Sequence, residues 1–118
     1  METAELLQRI AKIVSDKKCK EILWIDVTEK TDATEAFLLC SARNPSLGKA
    51  AYEEICAKLE PEGVYTNNVD GLKDGRWIVM DYGKVIVHIF NYSIRDQYQF
   101  ESLWANADGS NVTRYEEE

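Results

Sequence analysis

Gly75-Arg-Trp-Ile-Val-Met-Asp-Tyr-Gly-Lys-Val-Ile-Val-His-Ile-Phe90 decides the fold. Two apolar runs, Trp77 to Tyr82 and Val85 to Phe90, flank Gly83-Lys84. Both are rich in β-branched and aromatic side chains, which suit a pleated, half-buried surface. Glycine at the first position of a two-residue loop supplies the positive φ of a type II′ hairpin turn. With that turn, Asp81 faces Ile86, Val79 faces His88 and Trp77 faces Phe90. Strand alternation then places Trp77, Val79, Asp81, Ile86, His88 and Phe90 on one face. The opposite face carries Ile78, Met80, Val87 and Ile89 and is aliphatic, with Tyr82 at its end.

The aliphatic face is the natural core side. The mixed face sets Asp81 diagonal to His88, within hydrogen-bonding reach. Two readings of that face follow. Either it is a protein-binding surface, aromatic with a few polar groups, or a helix covers it and Asp81 and His88 form a buried, satisfied pair. The binding surface is the expected role of this face. A slip of one residue in the hairpin would exchange the two faces.

The flanking sequence supplies the remaining elements. Thr3 is placed to cap a first helix, with Leu6, Leu7, Ile10, Ile13 and Val14 on one stripe. Ile22 to Val27 and Ala36 to Cys40 read as strands, and the second is apolar enough for burial on both faces. Asn44-Pro45 is an N-cap followed by proline at the first helical position, and Pro61 and Gly63 end that helix. A short, weak strand is expected near Val64-Tyr65. Ser93-Ile-Arg-Asp96 reads as a capping box opening a last helix, with Phe100, Leu103, Trp104 and Ala107 on one face. Asp108-Gly109 ends it. The order is helix, strand, strand, helix, weak strand, strand, strand, helix. It predicts one α/β domain of the α+β kind, with a mixed, mainly five-stranded sheet flanked by helices. Residues 1–107 form the domain, and residues 108–118 are expected to be a frayed, acidic polar tail.

The chain has 118 residues, one domain's worth, and a formal net charge of -7. An acidic protein repels nucleic acid and attracts a basic protein partner. The three cysteines, Cys19, Cys40 and Cys56, are odd in number and lack CxxC spacing. They read as reduced, mostly buried thiols of a cytoplasmic protein. No run approaches the length of a membrane span, and no signal-peptide pattern is visible.

Catalytic patterns fail one by one. Gly48-Lys49 lacks the glycine five positions earlier and the following Ser or Thr of a phosphate loop. One histidine and three scattered cysteines offer no metal-ligand spacing. The strand acids, Asp26 and Asp81, are single, so no carboxylate pair is set for two-metal chemistry. No cofactor, metal or catalytic residue is expected.

The segments Asp81-Tyr-Gly-x-Val-x-Val-His88-Ile-Phe90 and Arg95-x-x-Tyr98-x-Phe-Glu101-x-Leu-Trp104 carry a resemblance. Asp26-Val27, Thr31-Asp32, Asp70-Gly71 and Trp77 extend it over about residues 4 to 107. The chain resembles the ribosomal silencing factor family, also called Iojap-like. One segment departs from that pattern: Ser41-Ala-Arg-Asn-Pro-Ser-Leu47 lacks the family's usual Gly-x-Ser and the helix start that follows it. Lys84 also replaces a commonly acidic turn residue. The resemblance implies a nucleotidyltransferase-like fold without its catalytic carboxylates. It implies binding to the large ribosomal subunit through ribosomal protein number fourteen, with little direct RNA contact. That binding would block joining of the small subunit and repress translation. Organelle relatives imply a role in large-subunit assembly. The rivals are a domain with residual nucleotide binding and a regulatory module for another partner. An exposed aromatic face also makes a homodimer an expectation. The expected contact residues are Trp77, Asp81, His88, Phe90, Arg95 and Tyr98. Trp77 and Phe90 anchor, Asp81 accepts from a cation or orients His88, and Arg95 pairs with a carboxylate on either molecule. Tyr98 contacts the partner or simply packs.

Overall fold

In a computed structural model that describes residues 1–116, the hairpin forms in the expected register. Strands β4 (Trp77–Asp81) and β5 (Val85–Asn91) pair Trp77 with Phe90, Val79 with His88 and Asp81 with Ile86. Gly83 adopts φ +82 in the turn between them. Before the hairpin come α1 (Thr3–Asp16), β1 (Lys20–Asp26), β2 (Ala36–Ala42), α2 (Pro45–Leu59), a 3-10 turn (Glu60–Glu62) and β3 (Asn68–Asp70). After it come α3 (Tyr92–Tyr98), α4 (Phe100–Trp104) and β6 (Val112–Arg114).

The sheet has six strands in the order β3-β4-β5-β2-β1-β6, one more than expected. β2 and β5 run parallel at its centre, and every other pair is antiparallel. All seven residues of β2 are buried, as its apolar run predicts. Each edge strand is three residues long, which leaves little open ladder for unwanted pairing. The weak strand falls at residues 68–70 rather than at Val64-Tyr65.

The aliphatic face is the main core. Leu6, Ile10 and Val14 of α1 and Ala51, Ile55 and Leu59 of α2 pack against Leu38, Ile78, Met80, Val87 and Ile89. Removing each such Leu, Ile or Val side chain from water contributes roughly 1.5–3 kcal/mol. Asn44 Oδ1 accepts from the Leu47 amide at 2.8 Å, so α2 is capped as predicted. Gly48 sits where α2 presses on the sheet: a Cβ there would lie 3.2 Å from the Gly75 carbonyl. Its glycine serves close packing rather than phosphate binding. Cys19 and Cys40 are buried, Cys56 is half-buried, and all three are free thiols. No helix among the described residues is long and apolar enough to cross a membrane.

Three local readings are corrected. Thr3 does not cap α1; Glu2 holds the cap position, and the Thr3 hydroxyl donates to Glu35 Oε1 at 2.7 Å. The last helix is not continuous from Ser93 to Ala107. It breaks at Gln99 (φ 47, ψ 48) into α3 and α4, and Asn91 rather than Ser93 precedes it. The polar stretch from residue 108 contains a strand rather than only a frayed tail. Asn111 holds that return: its amide donates to the carbonyls of Asp26 and Trp104, both at 3.0 Å. Val112 then pairs with Ile25 and enters the core layer on the mixed face. Glu117 and Glu118, the last of the expected tail, lie outside the described residues.

Candidate functional site

The mixed face is neither bare nor fully covered. α3 and α4 lie across it and bring Ile94, Phe100 and Trp104 onto Leu23, Ile25, Phe37, Leu39 and Phe90. The rings interlock. Phe37 meets Trp104 at 4.8 Å and Phe100 at 5.4 Å, both near edge-to-face. Trp77 lies 4.9 Å from Phe90 and 5.3 Å from Tyr98, measured between centroids. Such geometries add to plain area burial. The break at Gln99 is consistent with this packing: it turns Phe100 and Trp104 inward together and leaves Leu103 73% exposed. Leu103, expected on the apolar face, is therefore a surface residue.

Trp77 is half-buried, and its indole N–H donates to His88 Nδ1 at 3.1 Å. The Nδ1 atom accepts, so the proton of the neutral ring sits on Nε2. His88 is 6% exposed, and Nε2 is buried without a hydrogen-bond partner among the described residues. Burial lowers the His88 pKa to about 4 from the ordinary 6.5, because a charged ring would be poorly solvated there. The unfolded chain thus takes up a proton between pH 6.5 and 4 that the folded chain refuses. Stability is full above pH 6.5 and falls as the pH drops toward 4. The slope of unfolding free energy approaches about 1.4 kcal/mol per pH unit for one such group. We predict that His88→Gln flattens the wild-type loss of stability between pH 6.5 and pH 5, read by urea unfolding at each pH. Equal pH slopes in the two proteins would contradict this.

Asp81 does not reach His88. Its Oδ1 accepts from the Gly83 amide at 2.7 Å and so braces the hairpin turn. Arg95 is 4% exposed and makes three bonds, each to a different element. Nε donates to Glu101 Oε1 of α4 at 2.6 Å. Nη1 donates to the Glu21 carbonyl of β1 at 2.7 Å and to Ser41 Oγ of β2 at 2.9 Å. Glu21 stands at φ 51 within a register shift between Lys20 and Leu23. Such a bulge takes a residue out of the ladder, and here the Glu21 carbonyl serves Arg95 instead.

The six expected contact residues therefore divide. Phe90 is fully buried, and His88 and Arg95 nearly so, beneath or within the α3–α4 layer, so none presents a surface to a partner in this arrangement. The reading of an open sheet face gives way to a covered one. Trp77 and Asp81 are half-buried, and Tyr98 is 54% exposed. Tyr98 of α3 and Leu103 of α4 are exposed, and Tyr98 packs on the half-buried Trp77. Sequence reasoning missed Phe37, whose facing depends on the parallel β2–β5 register, and Leu103, whose exposure follows from the break at Gln99. Among the described residues, no group of three or more His, Cys, Asp or Glu side chains could hold a metal ion.

Fold and face together define a small α+β domain with an open six-stranded mixed sheet and an aromatic second layer. The same architecture occurs in a crystal structure of a Chromobacterium violaceum protein, with a TM-score of 0.84 and 28% identity. That match covers 88% of this chain and 87% of the other. A ribosomal silencing factor of Halalkalibacterium halodurans is 28% identical over 107 residues, spanning 91% of this chain and 92% of that protein. The ribosomal silencing factor of Bacillus subtilis is likewise 28% identical over 107 residues, spanning 91% of each. The family described as ribosomal silencing factor during starvation matches residues 1–118. The chain belongs to that family.

Proposed function

We propose that this protein represses translation by docking onto ribosomal protein number fourteen of the large subunit and obstructing the small subunit. The observation that carries the docking surface is the exposure of two apolar side chains of the covering layer, Tyr98 of α3 and Leu103 of α4, with Tyr98 packed on the half-buried Trp77 ring. An aromatic anchor set in a partly polar surround is the usual make-up of an interface centre. The net charge of -7 favours a basic partner and speeds the encounter. Asp81 lies on the same sheet face as Trp77; among the described residues only its Oδ1 is engaged, which leaves the other oxygen for a partner's Lys or Arg. Occlusion requires affinity and bulk and no chemical step, which fits the scattered acids. The setting is the cytoplasm, where the subunits are.

Co-sedimentation with isolated large subunits tests the reading. Binding should be seen at low salt, and the on-rate should fall as ionic strength rises, because charge steering is screened beyond about 8 Å at 0.15 M salt. A chain that stays in the supernatant at every salt concentration would sink the proposal.

A further inference from the structure

The outer surface of α3 and α4 has a fixed shape only if the joint at Gln99 is fixed. Gln99 is a non-glycine residue in the left-handed region (φ 47, ψ 48), a conformation that needs support from its surroundings. The two helices are seven and five residues long, too short to hold themselves. Arg95 precedes the joint and Glu101 follows it, and their 2.6 Å bond spans it. The same guanidinium is tied to β1 through the Glu21 carbonyl and to β2 through Ser41. The bulge that frees the Glu21 carbonyl is itself a strained feature, with φ 51 at a glutamate.

We propose that Arg95 and Glu101 are the positioning residues of the docking surface: the clamp sets the angle between α3 and α4 and hence the placement of Tyr98 and Leu103. This rests on the docking role proposed above and assigns Arg95 to shaping the surface rather than touching the partner. The guanidinium is a poor choice for stability alone. Its Nη2 is buried with no hydrogen-bond partner among the described residues, which carries a desolvation cost. Buried ion pairs add little net stability over apolar residues of similar volume, while breaking one leaves an uncompensated charge. A fork of donors directed at three separate elements specifies a geometry, and a lysine cannot reproduce it.

Two measurements on Arg95→Lys and Glu101→Gln test this: amide exchange of the free chain, and affinity for isolated large subunits. For Arg95→Lys, exchange within residues 92–104 should quicken while the β2 and β5 amides keep their protection, and affinity should drop about tenfold. Glu101→Gln keeps a neutral acceptor and should fall between wild type and Arg95→Lys in both readouts. If Arg95→Lys does not fold, Glu101→Gln is read against wild type in the same way. Affinity lost with unchanged exchange would mean that Arg95 touches the partner directly, and overturns the proposal. So would faster exchange with unchanged affinity, or a loss of β2 and β5 protection in step with the helices. Wild-type chain that fails to bind subunits overturns the docking role instead, and the exchange data still report whether the clamp fixes the joint.

Discussion

Phe90→Ala is expected to lower the unfolding free energy by about 3–5 kcal/mol. Phe90 is fully buried at the meeting point of β5, Trp77, His88 and Phe100. Its ring centroid lies 4.9 Å from that of Trp77 and 6.0 Å from that of Phe100. Removing it loses the transfer energy of the ring and leaves a cavity that the neighbouring aromatics fill poorly, since their own partners hold them. A domain of this size has about 5–15 kcal/mol in total, so the variant should be marginal. Urea unfolding with an unchanged slope and a much lower midpoint would be the signature. A loss below about 1 kcal/mol would show that the aromatic layer collapses freely over the gap, and that it does not order the surface above it.

The second large effect concerns binding rather than folding. Tyr98→Ser combined with Leu103→Ser should cost at least about 2 kcal/mol of subunit affinity, roughly thirtyfold. Both side chains are more than half exposed, so each change should shift stability by only about 0.5 kcal/mol. The separation of the two effects is the point. Phe90 packs beneath the α3–α4 layer, whereas Tyr98 and Leu103 are exposed side chains of the proposed docking surface. Wild-type affinity in the double variant would remove the α3–α4 face as the docking site. The experiment is titration of labelled chain against purified large subunits at one fixed salt concentration.

The hairpin register was legible because three signals agreed: alternation, the Gly83 turn and the aliphatic run. The α2 start was legible for the same reason, since the Asn44 cap and Pro45 are local signals. The C-terminal return was not. Val112 to Arg114 is a strand because the Asn111 side chain ties the loop to Asp26 and Trp104, and no local propensity announces that. The break at Gln99 was hidden too, because its cause is tertiary: a guanidinium on one side, a carboxylate on the other, and rings turned toward Phe37. Of the expected site, the openness of the face is what the structure corrects: α3 and α4 lie across it. Phe90 and His88 belong to that face, yet α3, which carries Arg95, and α4 cover it. An Asp81–His88 pair was a reasonable expectation from diagonal spacing, but the Trp77 indole and the Gly83 amide were closer claimants.

Occlusion should show itself in subunit joining. Isolated small and large subunits are mixed with saturating chain, and the fraction of joined ribosomes is read by sucrose-gradient sedimentation. Wild type should sharply lower this fraction, and the Tyr98→Ser, Leu103→Ser double variant should not. Normal joining in the presence of saturating, subunit-bound wild-type chain would contradict occlusion.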